Sequence, residues 1–245
     1  MPKQSTAAGS AWGEALQDDV KIQIAEIFLV FTPAVLIILL AKPFVGQNPI
    51  LSQSVVWVAN IVMLMMVWGG LRLRGQSWSH LGLKLQHSKS KTFLYSILVF
   101  VAAMVGFVMG AIIMANIVGV PESADMSGYN YLEGNLPMLI AALVAVFIVS
   151  SFGEEVIYRG FLITRISEMG SGSKSWTRFA VFISAVIFGL IHFEWGLMGI
   201  VQTGFMGLAL GISFLLVKRN LWVLVLAHTY MDAILMVQMY LVQNM

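Results

Sequence analysis

Residues 136–159 read LPMLIAALVAVFIVSSFGEEVIYR: an uncharged apolar run over 136–152, closed by Glu154, Glu155 and Arg159. A run of that length and composition reads as a membrane-spanning helix. A charged residue at the centre of such a helix costs about 2.5–3.5 kcal/mol on insertion scales, and spanning a bilayer requires none. The charges that close this run therefore mark where chemistry is to be sought.

Working outward, the same pattern recurs. Apolar runs of about 20 residues, enough to cross ~30 Å of hydrocarbon as helix, fall at 22–41, 51–71, 93–118, 136–158, 176–193, 195–217 and 221–242. Of the 245 residues, 59% are apolar and 11% charged, against about 25% charged in an ordinary soluble domain. The fold class expected is all-α, a polytopic transmembrane helix bundle of about seven spans. Three regions follow: a polar tail over 1–20, membrane helices with a basic loop over 21–134, and a helical core over 135–245. The tail is mixed polar (Lys3, Glu14, Asp18, Asp19) and does not read as a secretory signal peptide. Pro33 is expected to kink the first span. Glycines at 189, 196, 199, 204, 207 and 211 predict close backbone packing around the sixth.

Absent residue types exclude whole chemistries. With no cysteine, there is no disulfide, thiolate metal site or cysteine nucleophile. A net charge of +2 argues against a nucleic-acid partner. Basic residues gather in alternate loops: Arg72, Arg74, Lys84, Lys89 and Lys91 after the second span, Arg159, Arg165, Lys174 and Arg178 against Glu168 after the fourth, and Lys218 with Arg219 before the seventh. The loop after the third span instead holds Glu122, Asp125 and Glu133. The positive-inside rule then puts the N-terminus in the cytoplasm and the acidic pair near the cytoplasmic end of its helix. Residues 77–85 (SWSHLGLKL) fit either an interfacial amphipathic piece with Trp78 at headgroup level or a plain loop.

Within this frame the ionisable residues form a pattern. If the helix continues through 153–159, Glu155 and Arg159 stand four apart with the acid first, the better order for an ion pair. Glu154 lies about 100° round the helix from Glu155 and points elsewhere. One carboxylate is neutralised while the other is free, which is what a general base needs. His192 ends the segment FGLIH at 188–192, and His228 and Asp232 share a face of the last span. Imidazole transfers protons near neutral pH and binds metals. His80 and His87 lie in the basic loop and call only for solvation. A structural reading, with each group tied to a neighbour, accounts for these residues singly but not as a set. A proton or ion pathway also gathers such groups. It gives no reason for the Glu-Glu-xxx-Arg spacing, and no inverted repeat accompanies it.

Glu154-Glu155-xxx-Arg159, Phe188-xxx-His192, and His228-xxx-Asp232 preceded by Asn220-Leu221-Trp222 resemble, in order and spacing, the CAAX prenyl protease and bacteriocin-processing family of intramembrane endopeptidases. The resemblance covers about residues 135–240, with Leu81-Gly82-Leu83 a weaker match. It implies hydrolysis of a peptide bond near the cytoplasmic membrane face. On that resemblance Glu154 activates water with His192, Glu155 and Arg159 orient the site, and His228 with residue 232 holds the oxyanion. The family often has asparagine where this chain has Asp232. An asparagine amide donates to an oxyanion, whereas an ionised aspartate does not. Asp232 is open to three roles: a protonated donor, a group orienting His228, or part of a cation site.

The resemblance implies a protein or peptide substrate, with or without a lipid modification, and an integral, multi-pass location in the plasma (inner) membrane of a prokaryote. The preferred mechanism needs no cofactor. Zinc, held by Glu154, His192 and His228, is the alternative, although no His-Glu-xx-His motif is present. An inactive scaffold or immunity protein of the same fold, and a proton-coupled transporter, are the alternative functions. Glu154, His192 and His228 are expected to converge on one water-accessible cavity. A straight-helix count strains that expectation, because His192 lies about 21 Å beyond Arg178.

Overall fold

The computed structural model describes residues 11–46, 48–119 and 126–241. Lys3 and the first half of the polar tail lie outside the described residues, as do Glu122 and Asp125 of the acidic loop and Val242. Eight helices occur among the described residues: α1 (Ala11–Asp18), α2 (Val20–Val45), α3 (Pro49–Leu73), α4 (Lys89–Val118), α5 (Leu136–Met169), α6 (Lys174–Leu190), α7 (Gly196–Leu216) and α8 (Leu221–Leu241). Short 3-10 turns lie at Trp78–Leu81, Ser127–Leu132 and Phe193–Trp195, and the described residues contain no strand. The all-α expectation holds. Six helices are long and apolar enough to cross a membrane. With α6, apolar but only 17 residues long, they agree with the expected number of about seven spans.

Local chemistry sets the helix starts. Asp19, Asn48, Ser88 and Asn135 each accept a backbone N–H of the first turn of α2, α3, α4 and α5, and prolines 49 and 137 occupy first-turn positions in α3 and α5. Helix α2 continues through Pro33 and Pro43. The outer faces of the bundle carry exposed Phe28, Leu40, Leu98, Ile112, Ile140 and Phe182, the surface that lipid-facing helices require. Helices α4, α6 and α7 pack side by side. A Cβ at Gly189 would sit 2.6 Å from the Ile200 carbonyl oxygen, and one at Gly110 would sit 2.7 Å from the Gln202 Cα. The close packing expected from the glycines is therefore present, and it extends to α4.

The main departure is the length of α5, which runs eleven residues past the expected end at 158, to Met169. Arg159 and Arg165 are not loop residues but buried helix residues, 0% and 1% exposed. Partners explain the extension. Arg165 donates to Glu168 at 2.7 Å and to Gln76 at 3.0 Å, and Glu168 pairs with His80 at 2.7 Å. Glu26 of α2 forms a forked pair with Arg74, which also donates to the Leu16 carbonyl. This network ties α1, α2, α3 and α5 together. It also gathers the basic stretches at one end of the bundle, the end the positive-inside rule assigns to the cytoplasm.

Segment 77–85 is neither an interfacial helix nor a plain loop. The Trp78–Leu81 turn drives Leu81 fully into the core. Gly82 follows at φ 100° and accepts the Leu221 N–H at 3.0 Å. The Leu-Gly pair thus anchors the start of α8.

Candidate active site

Two stretches of α5, Phe147–Phe152 and Glu155–Leu162, are wound as π-helix, with Gly153 and Glu154 between them. π turns are rare and concentrate at functional sites. More residues complete each π turn, so successive side chains diverge less than the ~100° of an α-helix. The expected Glu155–Arg159 pair forms, with Nη1 donating to Oε1 at 2.9 Å. Glu154 does not point away as expected. Both carboxylates reach the same imidazole, Glu155 Oε1 lying 2.8 Å from His228 Nδ1 and Glu154 Oε2 3.9 Å from His228 Nε2.

Helix register explains the convergence. Helix α8 starts level with Gly160, where a Cβ would meet Leu221 Cδ1 at 2.9 Å. Counting back from Gly160 and forward from Leu221 brings Glu154, Glu155 and His228 to one height at 1.5 Å per residue. Helix α6 is antiparallel to α5 and is pinned where the Ser184 hydroxyl donates to the Tyr158 carbonyl at 2.8 Å. One turn further on, Phe188 reaches the glutamate level. A second turn brings His192 to the level of Ser151 and Asp232. The straight-helix strain disappears because the glutamates lie deep within a long α5, about 22 Å from its end at Met169, and not near the end of the helix.

Burial divides the set. Glu155 and Arg159 are 0% exposed. Glu155 Oε1 accepts from both Arg159 and His228, and the Arg159 guanidinium also lies 4.0 Å over the Phe188 ring. Among the described residues, Glu155 Oε2 and Arg159 Nε and Nη2 have no hydrogen-bond partner. Glu154 is 8% exposed and the Asp232 side chain 21%, so these two carboxylates stand at the rim. Asp232 accepts the Ser151 hydroxyl at 2.7 Å through Oδ2, and its Oδ1 lies 3.7 Å from His228 Nε2.

His192 is partly exposed. Its Nδ1 lies 2.7 Å from the Phe188 carbonyl oxygen. A carbonyl only accepts, so Nδ1 carries the proton and Nε2 the free lone pair. The two imidazoles flank Phe188, with centroids 4.9 Å (His192) and 6.2 Å (His228) from that ring. The site is therefore two-part: a tight Glu154–Glu155–His228–Asp232 cluster, and His192 beside it across a phenyl ring. Two surface grooves, one beside Tyr129 and Met239 and one between α4 and α7, are not lined by this set. Among the described residues, no three histidine, aspartate or glutamate side chains are placed to hold one metal ion. The Nδ1 atoms of both imidazoles are engaged by Phe188 and Glu155.

Three contributors to the site, and one residue of the network at the basic end, escaped the sequence reading. Ser151 orients Asp232, and its signal was two adjacent serines inside an apolar run. Phe188, quoted only as part of a motif, packs against Tyr158, Arg159 and both histidines. Glu26 is an acid inside the first span, an anomaly of the same kind as Glu154. Tyr129, in the Ser127–Leu132 turn, has its phenol pushed up by burial, with the Asp232, Tyr131 and Glu154 charges adding to the effect. It stays a neutral hydroxyl within electrostatic reach of the Asp232 and Glu154 carboxylates.

Residues 136–234 match the family described as type II CAAX prenyl endopeptidase Rce1-like. No curated protein and no solved structure matches the chain. The matched segment begins at the first residue of α5 and ends in α8, and so contains every residue of the cluster. Together with six membrane-length helices, the match makes this an integral, multi-pass membrane protein.

Proposed function

We propose that this chain, which belongs through residues 136–234 to the type II CAAX prenyl endopeptidase Rce1-like family, hydrolyses a peptide bond of a membrane-associated protein or peptide with Glu154 as general base. The observation that carries the reading is the single imidazole of His228 held from both sides. Glu155, clamped by Arg159, fixes Nδ1, while the rim carboxylates of Glu154 and Asp232 flank Nε2. Glu155 is too enclosed to reach a substrate; Glu154 is not.

In this scheme Glu154 takes a proton from water as the oxygen attacks the scissile carbonyl carbon. The lone pair on His192 Nε2 orients that water. Negative charge develops on the former carbonyl oxygen, and His228, protonated at both nitrogens, donates Nε2–H to it while Nδ1–H stays on Glu155. The C–N bond then breaks, Glu154 returns its proton to the leaving amine, and the carboxylate is regenerated. The scheme uses no metal. The plasma membrane of a prokaryote is the location this reading assigns.

The test is cleavage, by purified protein in proteoliposomes, of a peptide ending in a CAAX sequence, prenylated or not, with and without a chelator. Cleavage unchanged in chelator supports the scheme. Loss that added zinc restores would replace it with metal hydrolysis. The ratio of the two peptide rates reports whether the lipid is recognised.

Asp232 receives its own test. Asparagine can still accept the Ser151 proton, and its amide can donate to an oxyanion. Asp232→Asn is therefore expected to stay within about tenfold of wild-type kcat, because general-base loss costs about 10²–10⁴. A loss above a hundredfold would move the base from Glu154 to Asp232.

A further inference from the structure

A groove of about 560 Å3 opens between α4 and α7 at the basic end of the bundle, away from the glutamate cluster. We propose that it binds the phosphate headgroup of an anionic phospholipid, with the acyl chain lying below it against Leu98 and Leu216.

The lining is arranged by height. Lys91 from the first turn of α4, Lys218 from the α7–α8 turn and His87 from the preceding loop stand at the mouth. Leu98 lies two helical turns below Lys91, about 10 Å down α4. Leu98 and Leu216 are 58% and 77% exposed, so the lower part opens sideways, toward the lipid. Cations over an apolar, laterally open floor match an anionic amphiphile, and basic pockets between helices on the cytoplasmic side bind such headgroups. No acidic side chain lines the groove among the described residues.

Three further observations point to an anion at the mouth. The His87 ring stands edge-on to Tyr95 at 5.1 Å, and its buried Nε2 has no hydrogen-bond partner among the described residues. The first turn of α4 contains Lys89 and Lys91 and no acid, the reverse of what a helix N-terminus favours, and a bound anion corrects that imbalance. Lys218 and Arg219 both adopt left-handed backbone, φ 58° and 57°. Glycine would take that conformation without strain. Two side-chain-bearing residues hold it instead, braced by the Leu221–Gly82 hydrogen bond. The strained turn sets Lys218 at the mouth of the groove.

The test is a titration of the purified full-length protein with phosphatidylglycerol, with phosphatidylcholine as reference, read by native mass spectrometry. Preferential retention of phosphatidylglycerol is expected. Lys91→Gln and Lys218→Gln should each weaken it about fivefold, and together about twenty-five-fold. Melting in phosphatidylcholine alone should not change. If the double variant fails to fold, Lys91→Gln alone, an exposed helix-surface change, carries the test. Lys84→Gln with Lys174→Gln, both outside the groove, should leave retention unchanged. An equal loss in that pair means diffuse surface attraction and overturns the proposal. So does complete displacement by equimolar inorganic phosphate, which would make the ligand a soluble anion.

Discussion

Glu154→Gln is expected to lower kcat by about 10²–10⁴, the contribution of a positioned general base, with little change in stability. The substitution keeps size and shape and removes only the proton acceptor. Its ion partner, His228 Nε2, lies 3.9 Å away, too far for a direct hydrogen bond, so no strong native contact is lost. Taking a charge off a nearly buried carboxylate also relieves its desolvation. Glu155→Gln makes the informative contrast. That carboxylate accepts from both Arg159 and His228, so its loss should lower activity and melting temperature together. The measurement is kcat in proteoliposomes beside thermal unfolding for both variants. A Glu154→Gln enzyme within tenfold of wild type would show that the base lies elsewhere.

Arg159→Met is expected to cost about 3–5 kcal/mol of stability, the range for breaking a buried ion pair from one side. Methionine fills much of the arginine volume, so the loss is of charge and not of packing. The guanidinium lies wholly inside, 2.9 Å from Glu155 and 4.0 Å over Phe188. Its removal strands a carboxylate that only His228 can still pair. The double variant Glu155→Gln, Arg159→Met should recover a large part of that cost, because a neutral pair carries no desolvation penalty. Chemical denaturation of the two single variants and the double closes the cycle. A single-variant cost below about 1 kcal/mol would place the pair in the class of exposed salt bridges and remove its role as a clamp.

The clamp and the base differ in how far they could be read from the chain. The Glu155–Arg159 pair is local: four residues on one helix, in the favourable order, need no knowledge of any neighbour. The divergence of Glu154 from Glu155 was also argued locally and came out differently, because the π segments change the angle between successive residues. Nothing in Phe-Ile-Val-Ser-Ser-Phe at 147–152 announces a π turn. Such turns persist where surrounding helices hold them, as the Ser184–Tyr158 hydrogen bond does here. Glu26 is a different case. Its charge inside the first span was visible, but its partner Arg74 lies across the α2–α3 hairpin and Arg165 on a third helix.

Hydropathy and spacing by themselves determined the helical class, about seven spans, the helix starts to within a few residues, and which ionisable residues stand out inside apolar runs. Each of these depends on interactions within a few residues or on transfer of a short segment into lipid. Tertiary structure decided the true end of α5, the gathering of three carboxylates on one imidazole, and the place of Phe188 between the histidines. Those features depend on which helices lie antiparallel and in what register, and register is set by long-range contacts such as Gly160 against Leu221. A buried charge can be recognised in one dimension from what it costs, but the partner that offsets the cost is chosen by packing.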